Sequence, residues 1–121
     1  MFTINVGTSF YASHQLTLPD GSKEKLHKHN WQVSVQIQNP QLNKMGLVMD
    51  FNRLKAKLEN VVSDFNAVQM EEIDYFKKNN SSAENVAKYI YQKLEKKITD
   101  QLKLNYVQVT EEPGFSAKFM K

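Results

Sequence analysis

The chain has no cysteine among its 121 residues, which excludes a disulfide framework, a thiolate metal site and a cysteine nucleophile together. It also lacks any apolar run near the roughly 18 residues that a membrane-spanning helix needs. The opening MFTINVGTSF has neither the basic start nor the apolar stretch of a secretory leader. A soluble, cytoplasmic protein is therefore expected, with no membrane partner. There is no linker and no internal repeat, so residues 1–121 read as one domain around one core. Charge is weakly one-sided, at +3 with a pI near 9.0. The lysines are scattered, and Lys93, Lys96 and Lys97 suit a solvated helix face. Without interleaved aromatic and basic strand positions, a nucleic-acid partner is not expected.

What the chain does have is two segments with almost unbroken strand alternation. Phe2, Ile4, Val6, Phe10, Ala12 and His14 share one phase against Thr3, Asn5, Ser9, Tyr11 and Ser13. In the second segment His27, His29, Trp31, Val33, Val35 and Ile37 share a phase against Lys28, Asn30, Gln32, Ser34, Gln36 and Gln38. A hairpin joined through Gln15 to Leu26 would bring all three histidines of the chain into one layer. Three imidazoles can hold zinc at about 2.0–2.1 Å and leave a fourth position for water or substrate; iron or nickel would accept the same donors. An isolated H-x-H is a weak motif, and a strand histidine often only satisfies a neighbour. The converging third histidine is what favours a metal.

Two helices follow. From Asp50, the positions Phe51, Leu54, Leu58, Val61, Val62 and Phe65 have helical spacing. A second helix starts at Ser81 or Ser82, where Ser81 and Glu84 have capping-box spacing, and buries Ala83, Val86, Ala87, Ile90, Leu94 and Ile98. Asn39-Pro40 marks a turn, Met45 to Met49 a short extended return, and Val68 to Asn80 a polar loop with the acidic run Glu71, Glu72, Asp74. A second hairpin is predicted from Tyr106 to Glu111, turning at Glu112-Pro113-Gly114 into Phe115 to Met120. Glu111 shares the inward phase of Val107 and Val109, where an unpaired carboxylate is costly. It pairs within the protein, sits at the sheet's end in solvent, or meets a cationic ligand.

The order ββααββ, together with FYASHQL, LHKHNWQVSV, GLVMDFNRLK, SSAENVAKYIYQKL and VQVTEE, resembles the family of 6-pyruvoyltetrahydropterin and 6-carboxytetrahydropterin synthases over essentially the whole chain. The resemblance implies an α+β tunnelling fold, a four-stranded antiparallel sheet with two helices on one face. It also implies trimers or hexamers with active sites at subunit interfaces. By the same resemblance His14, His27 and His29 bind zinc, the substrate is a dihydropterin, and Glu111, with Thr110 beside it, binds the pterin ring. Lys28 stands where the family has glycine, on the outward phase of the strand.

Two departures bear on the reaction. The family's cysteine precedes the paired histidines, where this chain has Ser22-Lys23-Glu24-Lys25-Leu26, and its Asp-His pair corresponds to Asp64-Phe65. Phenylalanine carries no proton. A subgroup with E-x-x-H-x-H is associated with cleaving dihydroneopterin to 6-hydroxymethyl-7,8-dihydropterin, and Glu24 to His29 matches that spacing. The resemblance thus implies Glu24 as general base and Asp64 as a secondary group. The alternatives are a zinc-dependent lyase, acting on 7,8-dihydroneopterin or its triphosphate, and a non-catalytic pterin- and metal-binding member.

Overall fold

The computed structural model describes residues 1–99 and 101–121. The two alternating segments form β1 (Phe2–His14) and β2 (His27–Asn39), and the later hairpin forms β3 (Lys103–Glu112) and β4 (Phe115–Phe119). All pair antiparallel in the order β1-β2-β3-β4. Alternation sends Phe10, Ala12, Trp31, Val33, Val35, Ile37, Val107 and Val109 to one buried face. The opposite face is polar, with Asn5 donating to the Tyr106 hydroxyl and Gln36 donating to Asn5.

Helices α1 (Phe51–Val62) and α3 (Ala83–Glu95) cover the apolar face, α1 over β1 and α3 over β3 and β4. Their stripes Leu54, Leu58, Val61 and Val86, Ile90, Leu94 are buried, each worth about 1.5–3 kcal/mol of transfer free energy. Asp50 caps α1 by accepting from the Asn52 N–H at 2.7 Å. This is the expected α+β arrangement. No helix among the described residues is long and apolar enough to cross a membrane.

Three local expectations are corrected. The segment from Val68 to Asn80 is not simply a polar loop: it holds a 3-10 turn at Met70–Glu72 and a short helix, α2 (Asp74–Lys78). Met70 and Phe76 are buried there with Ile73 partly so, and this three-residue apolar spacing was masked by the acidic residues between. The cap of α3 is Ser82, which accepts from the Asn85 N–H; Ser81 has other partners. Met45 to Met49 is turn and bend, where the Asn43 side chain accepts from the Met45 and Leu47 N–H groups.

Helix α1 stops at Val62, and a 3-10 turn, Ser63–Phe65, carries Phe65 into the core. Its ring is fully buried, 4.8 Å from Phe10, 5.5 Å from Tyr89 and 5.9 Å from Phe76 between centroids. Phe65 therefore joins α1, α2, α3 and β1. Phe65→Ala should lower stability by about 3–5 kcal/mol, read as a fall in the urea midpoint at unchanged slope.

Candidate metal and substrate site

Strand register builds the site. His14 lies opposite His27, and Ala12 opposite His29, so one histidine of β1 faces two of β2 at the same sheet end. The ring centroids make a nearly equilateral triangle: 5.4 Å for His14–His29, 5.7 Å for His14–His27 and 5.8 Å for His27–His29. Trp31 forms the floor, edge-on to His14 at 4.9 Å and to His29 at 5.7 Å. Its indole N–H donates to the Ala12 carbonyl at 3.2 Å.

Glu111 reaches the same point from β3. The register between β3 and β4 shifts between Thr110 and Glu112, and such a bulge re-aims a side chain. Glu111 Oε1 ends 2.6 Å from His14 Nε2 and 3.2 Å from His29 Nε2. Of the three sequence alternatives for Glu111, the structure shows pairing within the protein. A hollow of about 370 Å³ adjoins it, bounded by His29, Gln32, Thr110, Glu111 and Pro113, which is within the size range of small-ligand pockets. The hollow of about 390 Å³ at Tyr91, Glu95 and Lys121 offers no comparable donors, since Lys121 and Glu95 pair with each other at 2.8 Å.

The donor set fits a divalent metal. His14 Nδ1 lies 2.8 Å from the Ser81 carbonyl; a carbonyl only accepts, so Nδ1 carries a proton there and Nε2 is the ring nitrogen that faces the cluster. Nε2 of His14 and Nε2 of His29 are buried and make no aligned hydrogen bond, even though a carboxylate oxygen lies so close. Converging lone pairs are stabilised by a cation. His14, His29 and Glu111 offer ligand atoms that all lie within 4.8 Å of one another, an N,N,O set of the kind zinc accepts. His27 stands apart from this tightest group. It is exposed, and its Nε2 turns toward Glu24 Oε1 at 3.7 Å.

Glu24 is held in the loop between the strands. Its carboxylate accepts from the Leu16 N–H at 3.1 Å, and the backbones of Glu24 and Leu16 pair at 3.0 Å. Asn80 ties this loop to the start of α3: its amide accepts from the Thr17 N–H at 2.8 Å and donates to the Thr17 carbonyl at 3.0 Å. Asp64 lies apart. It is exposed and forms no ion pair with the histidines among the described residues. Its carboxylate lies beside the Tyr89 hydroxyl, where burial first and Asp64 second raise the phenol above its ordinary range. Thr110 borders the hollow. Asn80, Ser81 and Glu71 were not singled out as site residues in the sequence, although Ser81 lay within a recognised helix start.

A helix-roofed antiparallel meander carrying an imidazole and carboxylate cluster at one sheet end defines a class, the tunnelling-fold proteins. The sequence profile described as 6-pyruvoyl tetrahydropterin synthase matches residues 3–121. The chain belongs to this family of pterin enzymes. It is 31% identical over 105 residues to the 6-carboxy-5,6,7,8-tetrahydropterin synthase of Synechocystis sp., covering 78% of this chain and 76% of that one. It is 27% identical over 110 residues to the dihydroneopterin monophosphate aldolase of Pyrococcus furiosus, covering 91% and 90%. In fold it is similar to the Caenorhabditis elegans 6-pyruvoyl tetrahydropterin synthase, with TM-score 0.87, 23% identity and coverage of 99% and 95%. A Plasmodium vivax 6-pyruvoyltetrahydropterin synthase, solved with a catalytic glutamate replaced by alanine, superposes with TM-score 0.76 at 21% identity, covering 99% and 97%.

The expected metal content is one divalent ion per chain, measured by elemental analysis after loading and desalting. His14→Ala and His29→Ala should each abolish it. Free metal at a hundred times its Kd should stabilise the native protein by about 2.7 kcal/mol, and stripping with a chelator should reverse the gain.

Proposed function

We propose that the protein is a zinc-dependent lyase acting on the side chain of a 7,8-dihydroneopterin, free or phosphorylated, and releasing 6-hydroxymethyl-7,8-dihydropterin. The observation that carries this reading is the placement of a restrained carboxylate, Glu24, at the rim of an imidazole triangle in which the buried Nε2 atoms of His14 and His29 face Glu111 without an aligned hydrogen bond. The aldolase name of the Pyrococcus relative and the catalytic glutamate of the Plasmodium enzyme support it.

In this reading His14, His27 and His29 hold the metal, and the nearly equilateral ring arrangement supports that set. Bound zinc would polarise the side-chain oxygens and make their protons easier to remove. Glu24 takes the proton from the second side-chain hydroxyl. The bond between the first and second side-chain carbons then breaks, a two-carbon aldehyde leaves, and the electron pair passes into the pterin ring. The carboxylic acid of Glu24 returns the proton to the carbon left behind. Glu111 is suited to the ring, because a carboxylate accepts two parallel N–H bonds from the 2-amino group and its neighbour. Thr110, on the same border of the hollow, lies where it can assist. Asp64, exposed beside the Tyr89 hydroxyl and apart from the histidines, is given no step in this scheme.

The outer edge of β4 and the part of the β1 edge before Tyr11 suit assembly into a homo-oligomer, trimeric or hexameric, with sites completed at subunit interfaces. A second reading, a pterin- and metal-binding protein without turnover, is favoured by Phe65, which occupies the place of the family's histidine inside an aromatic cluster.

The test is anaerobic incubation of the zinc-loaded protein with 7,8-dihydroneopterin, its monophosphate and its triphosphate, with products identified by mass spectrometry. The expected product is 6-hydroxymethyl-7,8-dihydropterin, formed about 10²–10⁴-fold more slowly by Glu24→Gln, with pterin binding retained. Glu111→Gln should weaken pterin binding; metal retained on His14, His27 and His29 would assign Glu111 to the ring, and metal lost with it would assign Glu111 to the donor set of His14 and His29. Pterin binding without any product would instead establish the second reading.

A further inference from the structure

Ser81 is fully buried and His14 nearly so, and they are the only buried polar side chains among the described residues. Their contact joins positions 67 residues apart, the end of β1 and the approach to α3. The contact uses the Ser81 carbonyl. Its hydroxyl donates in the other direction, to Glu71 Oε2. Glu71 Oε1 in turn faces the Gln69 amide at 3.4 Å, and Gln69 bridges to Ser13, the residue next to His14.

These contacts close a circuit. It leaves β1 at Ser13, runs through Gln69, Glu71 and Ser81, and returns to β1 at the ring of His14. Two backbone bonds fasten the circuit to the strand edge: the Ser13 N–H donates to the Val68 carbonyl at 3.1 Å, and the Ala67 N–H to the Tyr11 carbonyl at 2.7 Å. Ala67 adopts a positive φ of 58° to turn the chain there. A ring nitrogen bonded to a carbonyl fixes both the tautomer and the ring plane, but only if the carbonyl itself is fixed. Of the five residues in the circuit, Glu71 is the one whose side chain links the Met70–Glu72 turn to the segment before α3.

We propose that Glu71 is a positioning residue for His14, acting through Ser81 so that Nδ1 is held on the Ser81 carbonyl and Nε2 is aimed at the metal position. This rests on the metal reading of the imidazole cluster given above. Glu71 touches neither substrate nor metal. Its effect is to hold the Ser81 carbonyl in line with His14 Nδ1, which selects the Nδ1–H tautomer before any ion arrives.

The test compares native protein with Glu71→Ala, Glu71→Gln and Phe76→Leu. Phe76, buried in the neighbouring α2, supplies a loss of packing in the same region with no part in the circuit. Cobalt(II) affinity is measured by chelator competition and by the visible ligand-field spectrum, and the His14 tautomer of the metal-free chain by long-range proton–nitrogen correlation. Glu71→Ala should weaken cobalt binding by about 10–100-fold and replace the pure Nδ1–H tautomer with a mixture. Glu71→Gln keeps an oxygen acceptor for Ser81 and should recover most of the affinity. Phe76→Leu should lower the thermal midpoint and leave affinity and tautomer as in the native chain. Unchanged affinity and tautomer in Glu71→Ala would overturn the proposal, as would equal weakening in Glu71→Ala and Phe76→Leu. A native protein that binds no cobalt would overturn the metal reading and the proposal with it, a result distinct from native binding that Glu71→Ala matches.

Discussion

A buried imidazole has two nitrogens, and neither can be left to water. At His14 this constraint organises the whole sheet end. One nitrogen is satisfied by the Ser81 carbonyl, which requires the segment before α3 to come against β1. The other points into a cluster of further donors, which requires β2 and β3 to end at the same place. Helix, hairpin and sheet therefore meet where an unpaired polar atom would otherwise cost about 1–3 kcal/mol.

The apolar sheet face makes that meeting possible. Trp31 and Phe10 lie opposite each other in the row next to His29 and stack with centroids 6.0 Å apart, giving the imidazoles a rigid floor. Phe65 extends the same stack on the helix side. The aromatic column passes without a break from the site to the α1–α2 junction. This explains why phenylalanine at position 65 is compatible with the fold, although it removes a proton carrier: the ring is used for packing.

Period-two alternation made β1 and β2 legible, and with them the three histidines, because side-chain direction on a strand follows directly from position. Glu111 was visible for the same reason, as a charge on an inward phase. The short helix α2 was not, because three apolar residues among acids and lysines give too weak a pattern. Glu71, Ser81 and Asn80 were missed as site residues for a different reason. The bonds from Ser81 to His14 and from Asn80 to Thr17 span more than 60 positions, and Glu71 joins the site only through Ser81. No local periodicity encodes such a contact. Ser81 was also misread as the cap because Ser82 beside it offers the same chemistry, and only three-dimensional position decides which hydroxyl faces the helix.

The two halves of the site have separate supports. His14 is fixed through Ser81 and Glu71, whereas Glu24 is fixed through Leu16 within a loop that Asn80 ties down at Thr17. The supports converge on consecutive residues, Asn80 and Ser81, yet use different groups: a side-chain amide for the loop and a backbone carbonyl for the imidazole. A change at Glu24 or its loop can therefore reach His27, 3.7 Å away, while leaving the contacts of His14 in place. The histidine end is built into the sheet and the core, while Glu24 is carried on a loop held at only a few points.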